Sequence, residues 1–339
     1  MDILNILNRL NACHGPSGEE GDVAAVLREL AAPYADEVYT DTLGNLICRK
    51  KGSGKRVMFA AHMDSIGFVV THIDEGGFLR FGAVGGLDPH EVLGAPVRFA
   101  GGVRGVVARE GKAEAKELKL DNLYIDIGAK DRADAEAQVR VGDTAVYDTS
   151  SFVNGRRLFS PYLDDRIACV VLLLAMERLG ATDNDLYFVF TAQEEVGIRG
   201  AKTAAYGIDP DYGVAVDVTD SDDIPEPDHL CSARAGKGAA IKVMDRSVIC
   251  HPAVVRKLEA LAAEKGIPAQ REVIKAGGTD AGAIHQSRAG VYTGGISIPT
   301  RYLHTPLEMA DLDDVEACAA LAAAFAEASW TEANLGIRN

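Results

Sequence analysis

The sequence predicts an α/β fold with a mixed central sheet, helices on both of its faces, and a small all-β unit inserted into it. Three observations lead there. Segments of helical and strand period alternate over residues 2–61 and again over 165–328. Between them, from Gly67 to about Asp148, the character changes to short Val-, Ile- and Phe-rich runs punctuated by Gly-Gly turns. Finally, 339 residues exceed the usual size of one domain.

Taken in order, Ile3, Leu4, Ile6, Leu7 and Leu10 recur at helical spacing. A second helix, residues 18–32, follows the turn His14-Gly15-Pro16-Ser17 and carries Glu19 and Glu20 in its first turn, where acids complement the helix dipole. Residues 37–40, 45–49 and 56–61 read as strands separated by Gly-containing turns, the last running apolar into His62-Met63-Asp64. The inserted unit, with turns at Gly76-Gly77, Gly85-Gly86 and Gly101-Gly102, reads as a barrel or sandwich in which only residues 131–139 are helical. This divides the chain into an α/β domain of residues 1–66 and 150–339 and an insertion of residues 67–149. Beyond it, helices are expected at 165–179, 198–206, 252–265, 281–286 and 312–328. Strands are expected at 185–191, 212–218, 239–244, 269–274 and 291–298. The Pro- and Asp-rich segment 220–228 is a loop.

Composition narrows the partners. Thirty-five basic against fifty acidic residues give a formal charge of −15, which argues against a nucleic acid or an anionic membrane. The longest apolar run, near residues 168–176, is too short to span a bilayer, and residues 1–10 lack the basic start and apolar core of a signal peptide. Six cysteines are scattered without a CxxC pair, so most are expected as small core residues. A reducing cytoplasm is the location these features imply.

Chemistry concentrates in five places where His, Asp or Glu follows an apolar run: His62 with Asp64, Asp164 with Asp165, Glu194 with Glu195, Asp217, and His304. In an open α/β sheet the carboxyl ends of the strands line one crevice, so such residues converge however far apart they lie in sequence. Adjacent carboxylates such as Glu194 and Glu195 point different ways, so that one can hold a cation while the other handles a proton. Imidazole and carboxylate donors without thiolates suit zinc, cobalt or manganese. Taken singly, each residue has an ordinary explanation: a hydrogen-bonded histidine, a solvated acidic turn, an Asp165 that pairs with Arg166 or holds backbone amides. Gly277 to Gly282 offers a glycine turn before a helix, but no P-loop lysine follows it to make a phosphate site.

These segments carry a resemblance. His62-Met63-Asp64, Leu163-Asp164-Asp165-Arg166, Gln193-Glu194-Glu195-Val196-Gly197, Gly277-Gly278-Thr279-Asp280-Ala281-Gly282 and Ile298-Pro299-Thr300-Arg301-Tyr302-Leu303-His304 resemble, in order, the motifs of the M42 family of dinuclear metalloaminopeptidases. That family includes glutamyl aminopeptidases, TET peptidases and relatives once labelled endoglucanases. The resemblance implies a zinc-peptidase-like fold with a PDZ-like dimerisation insert, and dimers that assemble further into a dodecamer. It also implies two divalent ions (Zn, Co or Mn), one held by His62 and Asp217, the other by Glu195 and His304, with Asp164 shared. Glu194 is then the general base and Asp64 the group that orients His62. The peptide bond between Asp164 and Asp165 is expected to be cis, and Gly278, Thr279 and Asp280 are expected at the wall of the substrate site.

On this basis the chain removes N-terminal residues from short peptides, a water between the two ions giving its proton to Glu194 and attacking the scissile carbonyl. A metal-dependent deacylase of N-acyl substrates is the rival enzyme; a glycosidase fits poorly, since it normally needs two metal-free carboxylates. A non-catalytic assembly or binding protein is the rival outside enzymes, and it has no need of a proton-accepting base beside its metals.

Overall fold

The computed structural model describes residues 1–330. Helices α1 (Ile3–Ala12) and α2 (Gly21–Ala31) precede β1 (Glu37–Thr40), β2 (Leu46–Lys50) and β3 (Arg56–His62). The inserted unit then runs from β4 (Gly67–Ile73) and β5 (Leu79–Val84) through α3 (Pro89–Val92), β6 (Pro96–Phe99), β7 (Arg104–Arg109), β8 (Leu123–Asp126) and α4 (Arg132–Glu136) to β9 (Thr144–Tyr147). After it come β10 (Phe152–Asn154), β11 (Arg157–Ser160), α5 (Leu163–Arg178), β12 (Asp185–Thr191), α6 (Arg199–Ile208) and β13 (Tyr212–Asp220). The last elements are β14 (Ala239–Met244), α7 (Pro252–Lys265), β15 (Ala269–Val273), α8 (Ala281–Ile284), β16 (Tyr292–Arg301), β17 (Glu308–Asp311) and α9 (Leu312–Ala326).

The central sheet is mixed and runs β1-β2-β12-β3-β13-β16-β17-β11-β10, with β14 and β15 branching from β16. Its middle, β12, β3, β13 and β16, is parallel, and the flanks are antiparallel. Helices cover both faces, which is why these middle strands are apolar without a break. Along β3, Val57, Phe59 and Ala61 pack into one core with α5 and α9, while Met58 and Ala60 pack into the other with α6 and α8. Strand alternation thus divides one apolar run between two layers.

The insertion closes on itself as a six-stranded antiparallel barrel, β4-β5-β8-β7-β6-β9, around its own core of Phe68, Leu79, Val97, Ile125 and neighbours. It contains more helix than the sequence suggested: α3 and two 3₁₀ turns join α4, which is itself shorter than residues 131–139. The short strands β10, β11 and β17 were also not expected; at three or four residues they are too brief for alternation to stand out. Five of the six cysteines are buried, and none is in a disulfide. Among the described residues no helix is long and apolar enough to cross a membrane.

Candidate metal centre and its cavity

Four parallel strands deliver most of the site. His62 is the last residue of β3 and sits beside Thr191, the last residue of β12, which leads into Glu194 and Glu195. The pairing of Ala215 with Ala60 places Asp217 at the level of His62 in the adjacent strand β13. His304 follows β16 in a loop where both Tyr302 and His304 adopt positive φ, 63° and 64°. Asp164 departs from the pattern: it reaches the site from the start of α5, not from a strand end. There Tyr162 is left-handed, and the Asp164–Asp165 peptide is cis.

These side chains form one continuous group. The Nε2 of His62 lies 2.9 Å from Asp164 Oδ1 and 4.0 Å from Asp217 Oδ1. On the other side of Asp164, its Oδ2 lies 3.2 Å from His304 Nε2, which is itself 3.4 Å from Glu195 Oε2. Asp164 therefore stands between two sets, His62 with Asp217 and His304 with Glu195. A second close group joins His62 and Asp217 to Asp165, whose Oδ2 accepts the His62 backbone amide at 3.1 Å.

The ring orientations are fixed from behind. His62 Nδ1 faces Asp64 Oδ1 at 3.3 Å, and His304 Nδ1 donates to the Gly86 carbonyl at 2.8 Å, so each histidine turns its Nε2 toward Asp164. Asp64 also has a task that its position in the sequence did not suggest. Its Oδ1 accepts the amide of Glu194 at 3.0 Å, and its Oδ2 accepts that of Glu195 at 3.2 Å and the Ser17 hydroxyl at 2.6 Å. Glu308 escaped the sequence reading altogether. It is 2% exposed, and its two oxygens accept the backbone amides of Asp164 and His304, each at 2.9 Å. A carboxylate inside the short strand β17 is the only sequence signal that marks it.

Electrostatics sets the group's character. Burial, reinforced by Asp164, pushes Glu195 up to about 8. Burial, with Asp217, Glu195 and Asp280 adding to it against His62, holds Glu194 well above the ordinary carboxylate range. Asp217 is raised in the same way by burial and then by Asp164 and Asp280, against the pull of His62. Burial works against a charged His304, yet Glu195 and Asp164 outweigh it and raise that imidazole to about 11. Asp164 is the exception among the acids: burial would raise it, but His304 and His62 on either side hold it low. Acids outnumber bases here, and two buried carboxylate oxygens, Glu195 Oε1 and Asp165 Oδ1, have no hydrogen-bond partner. Such a set is costly without cations and fits divalent ions well.

The group forms the floor of a cavity of about 650 Å³. Gly277, Gly278 and Thr279 line one wall, and Gly86, Leu87 and Asp88 of the inserted unit line another. Asp280, expected with Gly278 and Thr279, instead turns inward: it is 2% exposed and accepts the Thr191 hydroxyl at 2.6 Å. The inserted unit thus reaches the site through Gly86, Leu87 and Asp88, while His90 and Glu91 just beyond them do not line the cavity. His14, in the turn before α2, is buried with its Nε2 2.7 Å from Thr144 Oγ1.

Known proteins share this architecture. The M42 glutamyl aminopeptidase family matches residues 44–321. A relative from Acetivibrio thermocellus is 48% identical over 315 residues, covering 93% of this chain and 95% of the relative. An aminopeptidase structure from the archaeon Desulfurococcus kamchatkensis superposes with a TM-score of 0.92 at 40% identity, covering 96% of this chain and 94% of that one. The TET1 peptidase of Pyrococcus horikoshii, described as assembling into a tetrahedron or a large octahedral shell, superposes with a TM-score of 0.86 at 31% identity, covering 96% and 99%. By the extent of the family match and the closeness of these relatives, the chain belongs to the M42 family of peptidases.

Proposed function

We propose that this chain is an aminopeptidase that works with two divalent cations, one held by His62 and Asp217, the other by Glu195 and His304, with Asp164 shared. The observation that carries this reading is the placement of Asp164, whose two oxygens face the two histidines separately, at 2.9 and 3.2 Å. The ions would polarise the scissile carbonyl and make water a better nucleophile at neutral pH.

The protein's own contribution starts with Glu194, which takes the proton of the attacking water and returns it to the leaving amine. In the metal-free protein burial, reinforced by Asp217 and Glu195, holds its carboxyl well above the ordinary carboxylate range, which favours proton uptake. Asp64 keeps Glu194 and Glu195 aimed apart by holding the amide of each, and it fixes the His62 ring with the same carboxylate. The glycines at 277 and 278 leave room for a peptide backbone against the wall. The same proposal extends to an α/β domain of residues 1–66 and 150–339, a PDZ-like insert at 67–149 that pairs subunits, and assembly of the dimers to a dodecamer. The barrel's separate core favours the division, and a TET1 structure of similar fold described as a dodecamer favours the assembly. Sedimentation as a monomer at micromolar concentration would break the assembly reading. Free, mostly buried thiols fit a cytoplasmic site of action.

Hydrolysis of Glu-, Asp-, Leu-, Lys- and Ala-anilides by metal-reconstituted protein tests the proposal. Turnover that a chelator abolishes and that Glu194→Gln lacks is the expected result. Silence across the panel by protein that holds two ions would overturn it and favour deacylation of N-blocked substrates.

A further inference from the structure

The two halves of the ligand group are supported differently, and the difference falls on the inserted barrel. Around His62, every hydrogen-bonding support belongs to the α/β domain: Asp165 Oδ2 on its backbone amide, Asp64 Oδ1 at its ring. Its partner Asp217 uses Oδ1 to accept the next amide of its own strand, Val218, at 2.8 Å. The barrel supplies none of these contacts.

Around His304 and Glu195 the barrel is the wall. Val84 ends β5, and the chain then turns through Gly85 and Gly86 before reaching α3. The Gly86 carbonyl takes the Nδ1 proton of His304 at 2.8 Å. A Cβ on Gly86 would lie 3.0 Å from that Nδ1 and 3.2 Å from Cε1 of the same ring. Gly85, at φ +77°, comes against the other ligand: a Cβ there would meet Glu195 Cβ and Oε2, both at 3.2 Å, and Ile66 Cγ2 at 2.8 Å. A third barrel residue, Tyr147 at the end of β9, donates its hydroxyl to the His304 carbonyl at 3.2 Å and is held from behind by Tyr162, whose hydroxyl donates to the Tyr147 carbonyl at 3.1 Å. Consecutive glycines therefore press their backbone on the two ligands of one half, and a buried tyrosine steadies the loop that carries one of them.

We infer that the Gly85–Gly86 turn of the inserted barrel is a positioning element for the second ion alone, setting the ring of His304 and the carboxylate of Glu195 while leaving the His62–Asp217 half to the α/β domain. The inference rests on the two-ion reading above. A histidine ligand is oriented, and its tautomer chosen, by the acceptor at its other ring nitrogen, and displacing such an acceptor typically weakens metal binding about 10–100-fold. Glycine suits both positions because a Cβ would crowd the His304 ring or the Glu195 side chain and oblige it to shift, and at Gly85 also because φ is left-handed. The barrel is then part of the metal centre as well as a neighbour of it.

The test is calorimetric titration of cobalt chloride into the chelator-stripped full chain, compared across five proteins. Wild type is expected to bind two ions in resolvable steps. Gly86→Ala should keep the tighter or weaker step belonging to the His62–Asp217 half unchanged, as identified by its loss in Asp217→Asn, and should weaken the other step about 10–100-fold. Tyr147→Phe removes one hydroxyl without adding bulk and should weaken that same step roughly 2–10-fold. Gly101→Ala, in the same barrel but with open space at the Cβ position, should titrate as wild type. Unchanged binding of both ions by Gly86→Ala, or equal weakening of both, overturns the inference while the two-ion reading stands. Should Gly86→Ala fail to fold, the second step of Tyr147→Phe decides. Fewer than two ions on wild type removes the two-ion reading and this inference with it.

Discussion

Two buried charged clusters meet in one cavity and solve the same problem in opposite ways. In the wall, Lys242, 2% exposed, donates to Glu272 Oε1 and lies 3.6 Å from Asp245 Oδ2. Glu272 Oε1 also receives the Thr219 hydroxyl at 2.9 Å, and Asp245 Oδ1 takes the amides of Ser247 and Val248 at 2.6 and 2.8 Å. This cluster carries its cation in the chain. On the floor, the carboxylates around Asp164 have two imidazoles among them and leave buried oxygens without partners. Burying charge is tolerable only when it is paired. The wall pairs its acids with Lys242, although Glu272 Oε2 is itself without a partner, whereas the floor has more acids than its two imidazoles can match and suits ions from outside. The lysine shows what the floor would look like if it were merely structural.

Removing a carboxylate from the floor should therefore cost chemistry and not folding. Glu194→Gln is expected to lower kcat by about 10²–10⁴-fold at unchanged metal content. The metal-free variant should melt no lower than wild type, since one source of repulsion has gone; a clear fall in Tm would break the contrast. In the wall the same kind of change should cost folding. Lys242→Met leaves Glu272 buried without its cation and should destabilise the protein by about 3–5 kcal/mol in denaturant unfolding, with its metal content unchanged. A loss below about 1 kcal/mol would mean that the wall pair is as dispensable as a surface one.

The pH dependence sharpens the contrast next. Glu195 and Glu308 titrate at about 8 in the folded protein against 4.5 as ordinary carboxylates, and His304 at about 11 against 6.5. For Glu308, burial and then Asp164 are the causes. All three bind protons more tightly when folded, so their contribution is full at low pH and is lost as pH rises through these values. The depressed Asp164 acts in the opposite sense, but only below its ordinary value of 3.8. Metal-free protein should accordingly lose thermal stability between pH 5 and 9. Added zinc or cobalt, which requires deprotonated ligands, should restore more at pH 9 than at pH 6. A holo–apo gap in Tm that narrows with pH would contradict the assignment of the floor to cations. The smallest effect belongs to a pair in neither cluster: Arg271→Ala severs a pair with Glu259 in which the arginine is two-thirds exposed, and should move stability by less than about 1 kcal/mol.

Much of this was legible in the sequence because strand ends in a parallel sheet must converge. The apolar runs before His62 and Glu194 and around Asp217 located the floor, since apolar strands with both faces covered announce themselves. What escaped were groups whose role is to hold backbone. Glu308 lies in a four-residue strand, and nothing local says that its oxygens meet amides from residues 164 and 304. Asp64 stands next to a ligand motif, yet its grip on Glu194 and Glu195 spans a contact that no spacing rule encodes. Lys242 did leave a signal, a lysine inside the apolar run Ala239–Met244, where a charge demands a buried partner. Gly85-Gly86 read only as a turn, because close approach to a ligand cannot be told from loop chemistry in one sequence.

The site draws its first side chain from residue 62 and its last from residue 304, with a complete barrel looped out between residues 62 and 164. On a ribosome, which releases the chain from its N-terminus, the barrel can fold long before His304 has been made. On the proposed ligand set, ion capture belongs to the final stage of synthesis and cannot guide its early steps. A chain halted short of β16 would display exposed acids and an unfinished sheet edge together, a combination by which quality-control proteases can tell an unfinished subunit from a finished one.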